Sequence, residues 1–222
     1  MSLVMAIANK NGIVVSGDWR LTVQYPSIPE LDNRYPDTMQ KIYKTKKGHV
    51  FGMAGAAYLA DGTETGEALY NLVLELNKMK RMTIKDELIF IRDELSYRST
   101  RPVYLLAAGI EKGKNKIYQA STDKEEIIDK IKQDYYGIGI VGMVDVALSI
   151  IYKMGINTSE YSIEELADLL RKVNMETSQS LKEIKSVSEE CDIIYIIPDG
   201  KSGQAYFWRD PDNMVRFYKL KA

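Results

Sequence analysis

Short apolar runs alternate with turn residues at the start of the chain. Residues 3–8 and 13–17 are apolar and rich in β-branched side chains, and the segment 9–12 between them ends in Asn-Gly, which is typical of a β-hairpin. A second hairpin is predicted from residues 41–45 and 49–54. Because a terminus that is paired within a sheet is ordered, the beginning of this chain is expected to hold a defined position.

Four longer segments have a helical period, with apolar residues recurring every three or four positions. The predicted helices span residues 56–79, 83–97, 141–154 and 162–179. Thr83 is expected to be an N-cap, and Ser162 with Glu165 forms the S-x-x-E pattern of a capping box. Further strands are predicted at 102–110, 116–120, 192–197, 205–208 and 214–220.

The order of these elements predicts an α+β fold, a four-layer αββα sandwich. Two sheets packed face to face, with a pair of helices on each outer side, would bury every apolar face that the pattern creates. The 222 residues fit a single domain spanning 1–222, since a chain of this length has ample surface to bury in one core. No internal repeat or low-complexity segment divides it.

Charge and composition exclude several classes of function. The net charge is −1 and no basic stripe is present, so no nucleic-acid partner is expected. No apolar run reaches the roughly 18 residues of a membrane span, and residues 1–8 lack the features of a signal peptide, so we expect a cytoplasmic protein without a membrane partner. Cys191 is the one cysteine and His49 the one histidine, so neither a disulfide nor a zinc site is predicted. The G-x-S-x-G pattern is absent, so no Ser-His-Asp triad is predicted either. No metal or cofactor is expected.

Three segments near the start of the chain carry a resemblance to a known family. Residues 2–22 begin with Ser2-Leu3-Val4-Met5-Ala6 and end in the D-x-R-x-T segment, residues 41–44 read Lys-Ile-Tyr-Lys, and residues 52–61 follow a G-x-A-G pattern that ends in Asp. In this order they resemble proteasome β-type subunits and the bacterial HslV peptidase. These are N-terminal nucleophile hydrolases of the proteasome-like branch, and the resemblance implies their αββα sandwich.

A nucleophilic serine at the chain start is chemically reasonable. A serine hydroxyl needs a base to become a good nucleophile. If Met1 is removed, Ser2 carries a free α-amine, whose reference pKa of about 8 leaves a useful neutral fraction at pH 7. That amine can take the hydroxyl proton directly or through one water.

The resemblance assigns the remaining catalytic roles. Lys41 would lower the pKa of the amine by like-charge repulsion, and Asp18 would hold Lys41 in place as an ion pair. Arg20 would support this network. The backbone N–H of Gly55 would donate to the oxyanion that develops on the substrate carbonyl.

The chain departs from the family pattern in three places. Isoleucines occupy the Gly-rich loop at 137–140, where the family has a serine. The stretch 182–188 does not reproduce the family's Asp-x-x-Ser, which leaves Ser186, Ser188 and Glu189 as alternatives. The proline-containing segment 21–40 is longer than usual and is expected to reshape the substrate groove.

Several functions fit these observations. The first is a peptidase or amidohydrolase that acts on a peptide or protein through an acyl-enzyme ester. If an amine attacked the ester in place of water, the protein would be a peptide ligase. The archaeal connectases, which are proteasome homologues that ligate peptides, begin with a similar run of residues. The alternatives are a catalytically inactive assembly or binding subunit of the same fold and an unrelated αβ binding module. The resemblance also implies a homo-oligomer, of which a ring is one form, while an ATPase partner is not identified.

Overall fold

The computed structural model describes residues 2–20, 39–80, 82–132, 135–155, 157–181 and 187–207. These residues form eleven strands and four α-helices. The strands are β1 (Leu3–Asn9), β2 (Gly12–Asp18), β3 (Ile42–Lys44), β4 (Val50–Gly55), β5 (Val103–Glu111), β6 (Lys114–Ser121), β7 (Lys124–Asp129), β8 (Ile131–Lys132), β9 (Tyr136–Gly142), β10 (Cys191–Asp199) and β11 (Ser202–Phe207). The helices are α1 (Thr65–Leu76), α2 (Ile84–Ser96), α3 (Val144–Met154) and α4 (Ile163–Ser180).

The predicted four-layer αββα sandwich is wrong, because all eleven strands belong to one antiparallel sheet. The sheet runs in the order β3-β4-β5-β11-β10-β2-β1-β9-β8, and β6 and β7 extend from β5. Strand β11 pairs with β10 along its length and with β5 through Ser202 and Glu111, so hydrogen bonds connect what was predicted as two separate sheets. The fold is therefore dominated by a single sheet that carries four helices.

Apolar side chains form three clusters around this sheet. One cluster lies between α1, α2 and the strands β4, β5 and β6, and a second lies between α3, α4 and the strands β1, β2 and β10. The third contains strand residues only, such as Val4, Val15, Leu106 and Ile194, so faces of the sheet also pack against each other. This burial removes most apolar strand residues from water, which is the main driving force for the fold.

The predicted first hairpin is confirmed, and its first strand is interior. β1 pairs with β2 from Val4↔Gly17 to Asn9↔Gly12, and its other edge pairs with β9. All seven residues of β1 are buried. Gly137 and Gly139, which the sequence assigned to a Gly-rich loop, lie within β9, where a Cβ on Gly139 would come within 2.6 Å of the Ile117 side chain.

Local capping signals also predicted the helices well, with one exception. The Thr83 side chain accepts a hydrogen bond from the Asp86 backbone N–H, and Ser162 and Glu165 form both bonds of a capping box. The predicted helix 56–79 is wrong in its first half, since α1 begins only at Thr65. The positive φ of 83° at Gly62 is a turn conformation, which a helix does not accommodate.

Strand β7 was missed because its sequence, Lys-Glu-Glu-Ile-Ile-Asp, is mostly charged and exposed. Predicted features that lie outside the described residues are most of the loop 21–40, the stretch 182–186, Trp208 and the closing strand 214–220.

Candidate active site

The Asp18 carboxylate, at the end of β2, is the centre of a buried polar cluster. Its side chain is 0% exposed. One oxygen, Oδ1, accepts hydrogen bonds from the Leu3 backbone N–H at 2.7 Å and from Lys41 Nζ at 2.7 Å. The other, Oδ2, accepts from the backbone N–H groups of Arg20 at 3.0 Å and Ser188 at 3.3 Å. Asp18 thus joins the start of the chain to two distant segments, those of Lys41 and Ser188.

Lys41 is buried to an extent that is rare for a lysine. Its side chain is 1% exposed, and Nζ donates to the Arg20 carbonyl oxygen at 2.6 Å as well as to Asp18. The Lys41 carbonyl oxygen accepts from the Met53 backbone N–H at 3.1 Å, which attaches this residue to β4. Burying an ammonium group is costly unless an opposite charge and further acceptors surround it, and both are present.

Ser2 immediately precedes β1 and is only 7% exposed. Its carbonyl oxygen accepts from the Met143 backbone N–H at 3.0 Å, at the start of α3. Gly142 passes over this carbonyl with φ +94°, and a Cβ there would lie 1.8 Å from the Ser2 oxygen, so only glycine fits. Lys41 Nζ and the Leu3 nitrogen share one Asp18 oxygen, which brings the ammonium group close to the Ser2–Leu3 peptide.

Gly55 ends β4 with φ +109°, and a Cβ there would lie 2.5 Å from the Pro102 carbonyl oxygen. The residue before it, Ala54, places its Cβ 3.2 Å from the position that a Cβ on Gly142 would occupy. Since Gly142 covers the Ser2 carbonyl, the end of β4 adjoins the start of the chain. The structure therefore brings Ser2, Asp18, Arg20 and Lys41 together. Gly55 follows the β4 residue that adjoins Gly142, and its own nearest neighbours are Pro102, Val103 and Tyr104.

The structure singles out Ser188 among the three residues that the sequence left open. Its hydroxyl accepts from the Trp19 backbone N–H at 2.8 Å and donates to the Glu190 carbonyl oxygen at 2.7 Å. Together with the bond from the Ser188 N–H to Asp18, this fixes Ser188 against the cluster. Glu189 is exposed, and Ser186 lies outside the described residues. In the sequence, the one signal for Ser188 was its position at the end of the 182–188 stretch.

Asp192, at the start of β10, was not predicted as part of the site. It is 5% exposed and lies opposite Gly17, one residue before Asp18. Burial raises the pKa of Asp192 to about 7, while a hydrogen bond from the Trp19 side chain acts in the opposite direction. Burial likewise raises the pKa of the neighbouring Cys191 thiol, so Cys191 is not a reactive thiolate at neutral pH.

A groove of about 460 Å³ opens next to the segment that carries Lys41. Its lining includes Gln40 and Tyr43, which flank Lys41 in the chain, and Tyr70 of α1, whose ring centroid is 5.6 Å from that of Tyr43. The carboxylates of Glu64 and Glu67 also line it. The groove has the size of an ordinary ligand site and combines apolar walls with negative charge.

A second buried carboxylate, Glu87 of α2, has different surroundings. Its side chain is 0% exposed and contacts Lys47 Nζ at 2.8 Å and His49 Nδ1 at 2.6 Å. Both partners belong to the hairpin between β3 and β4. This cluster therefore attaches the hairpin to α2, and His49 has no contact with Ser2 among the described hydrogen bonds.

Comparison with known proteins does not assign the chain to a family. No protein-family model matches it, and no curated protein is significantly similar to it. Within the described ranges, no helix is long and apolar enough to cross a membrane. The same part of the chain contains no group of three or more His, Cys, Asp or Glu side chains arranged to hold a metal ion. The chemistry of the Asp18 cluster therefore has to support any functional conclusion.

Proposed function

We propose that this protein is an N-terminal nucleophile amidohydrolase or peptidase in which Ser2, exposed by removal of Met1, attacks the substrate. One observation carries the proposal: a fully buried lysine and the backbone next to Ser2 share a single oxygen of the buried Asp18. Such a costly arrangement at the very start of a chain is difficult to explain as structural support alone, because an apolar trio would pack there more cheaply.

The α-amine of Ser2 is the general base in this proposal. The Lys41 ammonium group lies near it and disfavours a second positive charge, which lowers the pKa of the amine and keeps it neutral and able to accept a proton. Asp18 fixes the position of Lys41 and compensates its charge. Since Asp18 also accepts from the Leu3 N–H, it fixes the peptide that follows the nucleophile.

The reaction proceeds in two balanced steps. Ser2 Oγ adds to the carbonyl carbon of the substrate amide while its proton passes to the α-amine, and the Gly55 N–H donates to the oxyanion. The tetrahedral intermediate collapses, the C–N bond breaks, and the leaving amine takes the proton, which leaves an ester on Ser2. Water then adds to the ester carbonyl carbon and gives a proton to the α-amine. The C–O bond to Ser2 breaks, the acid is released, and the same proton restores the Ser2 hydroxyl.

The groove beside Lys41 supports a peptide or a related amide as substrate. It is large enough for a side chain next to the scissile bond, and its walls come from the same segment as Lys41. A free, partly buried thiol such as Cys191 is compatible with a reducing compartment, and we place the protein in the cytoplasm.

The test begins with the protein expressed from its own start codon. Intact mass is expected to show Met1 removed, and a peptide epoxyketone, which reacts with both the hydroxyl and the α-amine of an N-terminal serine, is expected to add once per chain at Ser2. Ser2→Ala is expected to abolish the adduct. Ser16→Ala, which changes a buried serine on β2, is the matched control and is expected to label normally. Retention of Met1 on every chain, or labelling that survives Ser2→Ala, would contradict the proposal.

A further inference from the structure

The groove beside Lys41 opens at the edge of β4 to which the Gly55 N–H is directed. The Ala56 N–H donates to the carbonyl oxygen just before β5 at 3.3 Å, whereas the Met53 N–H donates in the opposite direction, to the Lys41 carbonyl oxygen. Successive N–H groups of a strand point to opposite edges, so the Gly55 N–H faces the same edge as that of Met53. The antiparallel register of β3 and β4 continues on this edge towards Met39, which lines the groove. A substrate carbonyl bound by Gly55 would therefore place its neighbouring side chain at the groove.

The walls of the groove suit a side chain with a long apolar stem. Met39, Val73 and Leu74 line it with apolar groups. Tyr43 of β3 and Tyr70 of α1 add two aromatic rings, which are tilted by 45° with their centroids 5.6 Å apart. Tyr70 is 46% exposed, so its ring is accessible to a ligand. Lysine and arginine bury their stems against such surfaces, and their cationic ends bind to aromatic faces.

The charge of the groove is negative. Glu64, at the N-cap of α1, and Glu67, in its first turn, are exposed and line it. Burial is the main cause of the raised pKa of Tyr43, and the charges of both glutamates add to it, so their field reaches the groove wall. Lys44 is the one cation among the described residues that line the groove. Because it follows Tyr43 in β3, its side chain leaves the strand on the opposite face.

Helix stabilisation alone is a weak explanation for the two glutamates. Acidic side chains near the start of a helix do stabilise it. However, Glu64 forms no capping hydrogen bond, and within the described residues neither carboxylate has an ion-pair partner. The positive end of the α1 dipole amounts to about half a charge, which two carboxylates outweigh. Both carboxylates are therefore available to a cationic ligand in the groove.

We propose that this groove is a specificity site for the cationic side chain of an arginine or lysine on the acyl side of the scissile amide. The stem of that side chain lies along the apolar wall, and its charged end lies between the Tyr70 ring and the carboxylates of Glu64 and Glu67. An acidic side chain is repelled there. The placement next to the scissile bond rests on the proposed function, whereas the affinity of the groove for a cationic side chain does not.

This affinity is testable without any activity, by titrating the ¹⁵N-labelled full chain with Nα-acetyl-arginine methylamide. The Gly66 and Tyr70 amide resonances are expected to shift and to saturate, because both residues line the groove. In the double variant Glu64→Gln/Glu67→Gln the dissociation constant is expected to rise about tenfold, since two exposed ion pairs are lost. Glu75→Gln changes an exposed glutamate of α1 outside the groove and is expected to bind like the wild type. No saturable shift, or equal dissociation constants for the wild type and the double variant, would overturn the proposal.

Charge reversal separates recognition from a structural role. Glu64→Lys/Glu67→Lys is expected to lose the arginine ligand and to bind Nα-acetyl-glutamate methylamide, which the wild type is expected not to bind. Loss of the first ligand without gain of the second, in a variant that thermal unfolding shows to be folded, would contradict recognition by charge. Tyr70→Leu is expected to weaken arginine binding about threefold. Tyr97→Leu, at an 89% exposed tyrosine that follows α2, is its control and is expected to have no effect.

Labelling by peptide epoxyketones gives the reaction readout. Probes with arginine, leucine or glutamate next to the epoxyketone are expected to react with Ser2 in that order, arginine about tenfold faster than leucine. In Glu64→Gln/Glu67→Gln the ratio of arginine to leucine is expected to fall to about one. If no probe labels Ser2 but the arginine ligand binds, the proposed function fails and the affinity of the groove stands. If all three probes label equally and the ligand does not bind, the specificity site fails and the proposed function stands.

Discussion

Two buried carboxylates, Asp18 and Glu87, each form an ion pair with a lysine. The differences between the two pairs distinguish a candidate site from a contact that only stabilises the fold. Both side chains are 0% exposed. The lysine of Asp18 is buried to 1% exposure, whereas Lys47, the lysine of Glu87, is 22% exposed. The further partners of Asp18 are backbone groups from three separate segments, whereas those of Glu87 lie within one hairpin.

This comparison shows that burial of an ion pair does not by itself indicate a function. The Glu87 cluster fixes the β3–β4 hairpin against α2, and that is a sufficient reason for it to exist. The Asp18 cluster lies against the Ser2–Leu3 peptide, where the proposed function puts the nucleophile. Only the location of the Asp18 cluster next to Ser2 favours activity there, and matched variants in the two clusters are the sharpest test of that difference.

The largest expected difference is between the two lysines. Lys41→Met keeps the length of the side chain but removes its charge, and it is expected to lower the rate of epoxyketone labelling at Ser2 by about 10²–10⁴-fold. Lys47→Met, the matched change in the other cluster, is expected to alter the rate by less than about twofold, because Lys47 is partly exposed and remote from Ser2. Thermal unfolding of both variants checks that they are folded. Equal labelling rates for Lys41→Met and Lys47→Met would show that the two clusters do not differ in their effect on Ser2.

Glu87→Gln is expected to reverse the pattern, with a large loss of stability and no loss of reactivity. Removing this charge leaves His49 and Lys47 without their carboxylate, at a cost of about 2–4 kcal/mol in the free energy of unfolding. Urea denaturation measures the loss, and labelling below the transition measures the site. If Glu87→Gln lowered the labelling rate as much as Lys41→Met does, the contact between the β3–β4 hairpin and α2 would be part of the site.

Asp192 adds a third buried carboxyl to the comparison, and its stability effect has a defined sign. Its folded pKa of about 7 is above the ordinary value of 3.8, so the folded state binds an extra proton between these two pH values. Its contribution to stability is complete below about pH 4 and is lost as the pH rises to about 7, by an amount on the order of 4 kcal/mol. In a His49→Gln background, Asp192→Asn is expected to flatten this slope in urea titrations at pH 5 and pH 8. An unchanged slope would contradict the raised pKa.

The smallest effect on the labelling rate is expected from the glycine that covers Ser2. Gly142→Ala puts a methyl group onto the Ser2 carbonyl oxygen in a left-handed backbone conformation, and it is expected to cost more than about 1 kcal/mol and to slow labelling as β1 shifts. Gly113→Ala is the control, because that glycine also has a positive φ, of 75°, but has open space around it. Comparable labelling by the two alanine variants would show that the Ser2 backbone is not tightly placed.

Local features of the fold were predictable, and long-range ones were not. The Asn9–Gly12 hairpin and the caps at Thr83 and Ser162 follow from residues a few positions apart. The continuity of the sheet depends on Ser202 pairing with Glu111, which no local pattern encodes, and this is why the sandwich prediction failed.

The candidate site divides in the same way. Resemblance suggested Asp18 and Lys41, and the structure places them 2.7 Å apart. The contribution of Ser188 depends on a bond across 170 positions of the chain, so the sequence left it as one of three alternatives. Asp192 reads in the sequence as one polar residue in a β-branched strand, and only the structure shows that it is buried opposite Gly17, beside Asp18.

The interior position of β1 has a consequence for synthesis of the protein. Strand β1 pairs with β9, and the Ser2 carbonyl oxygen just before it accepts from the Met143 N–H; both partners are translated more than a hundred residues later. A nascent or prematurely terminated chain therefore carries the serine and its amine without the surroundings that would activate them. On the proposed function, reactivity is acquired only when most of the polypeptide has emerged and folded.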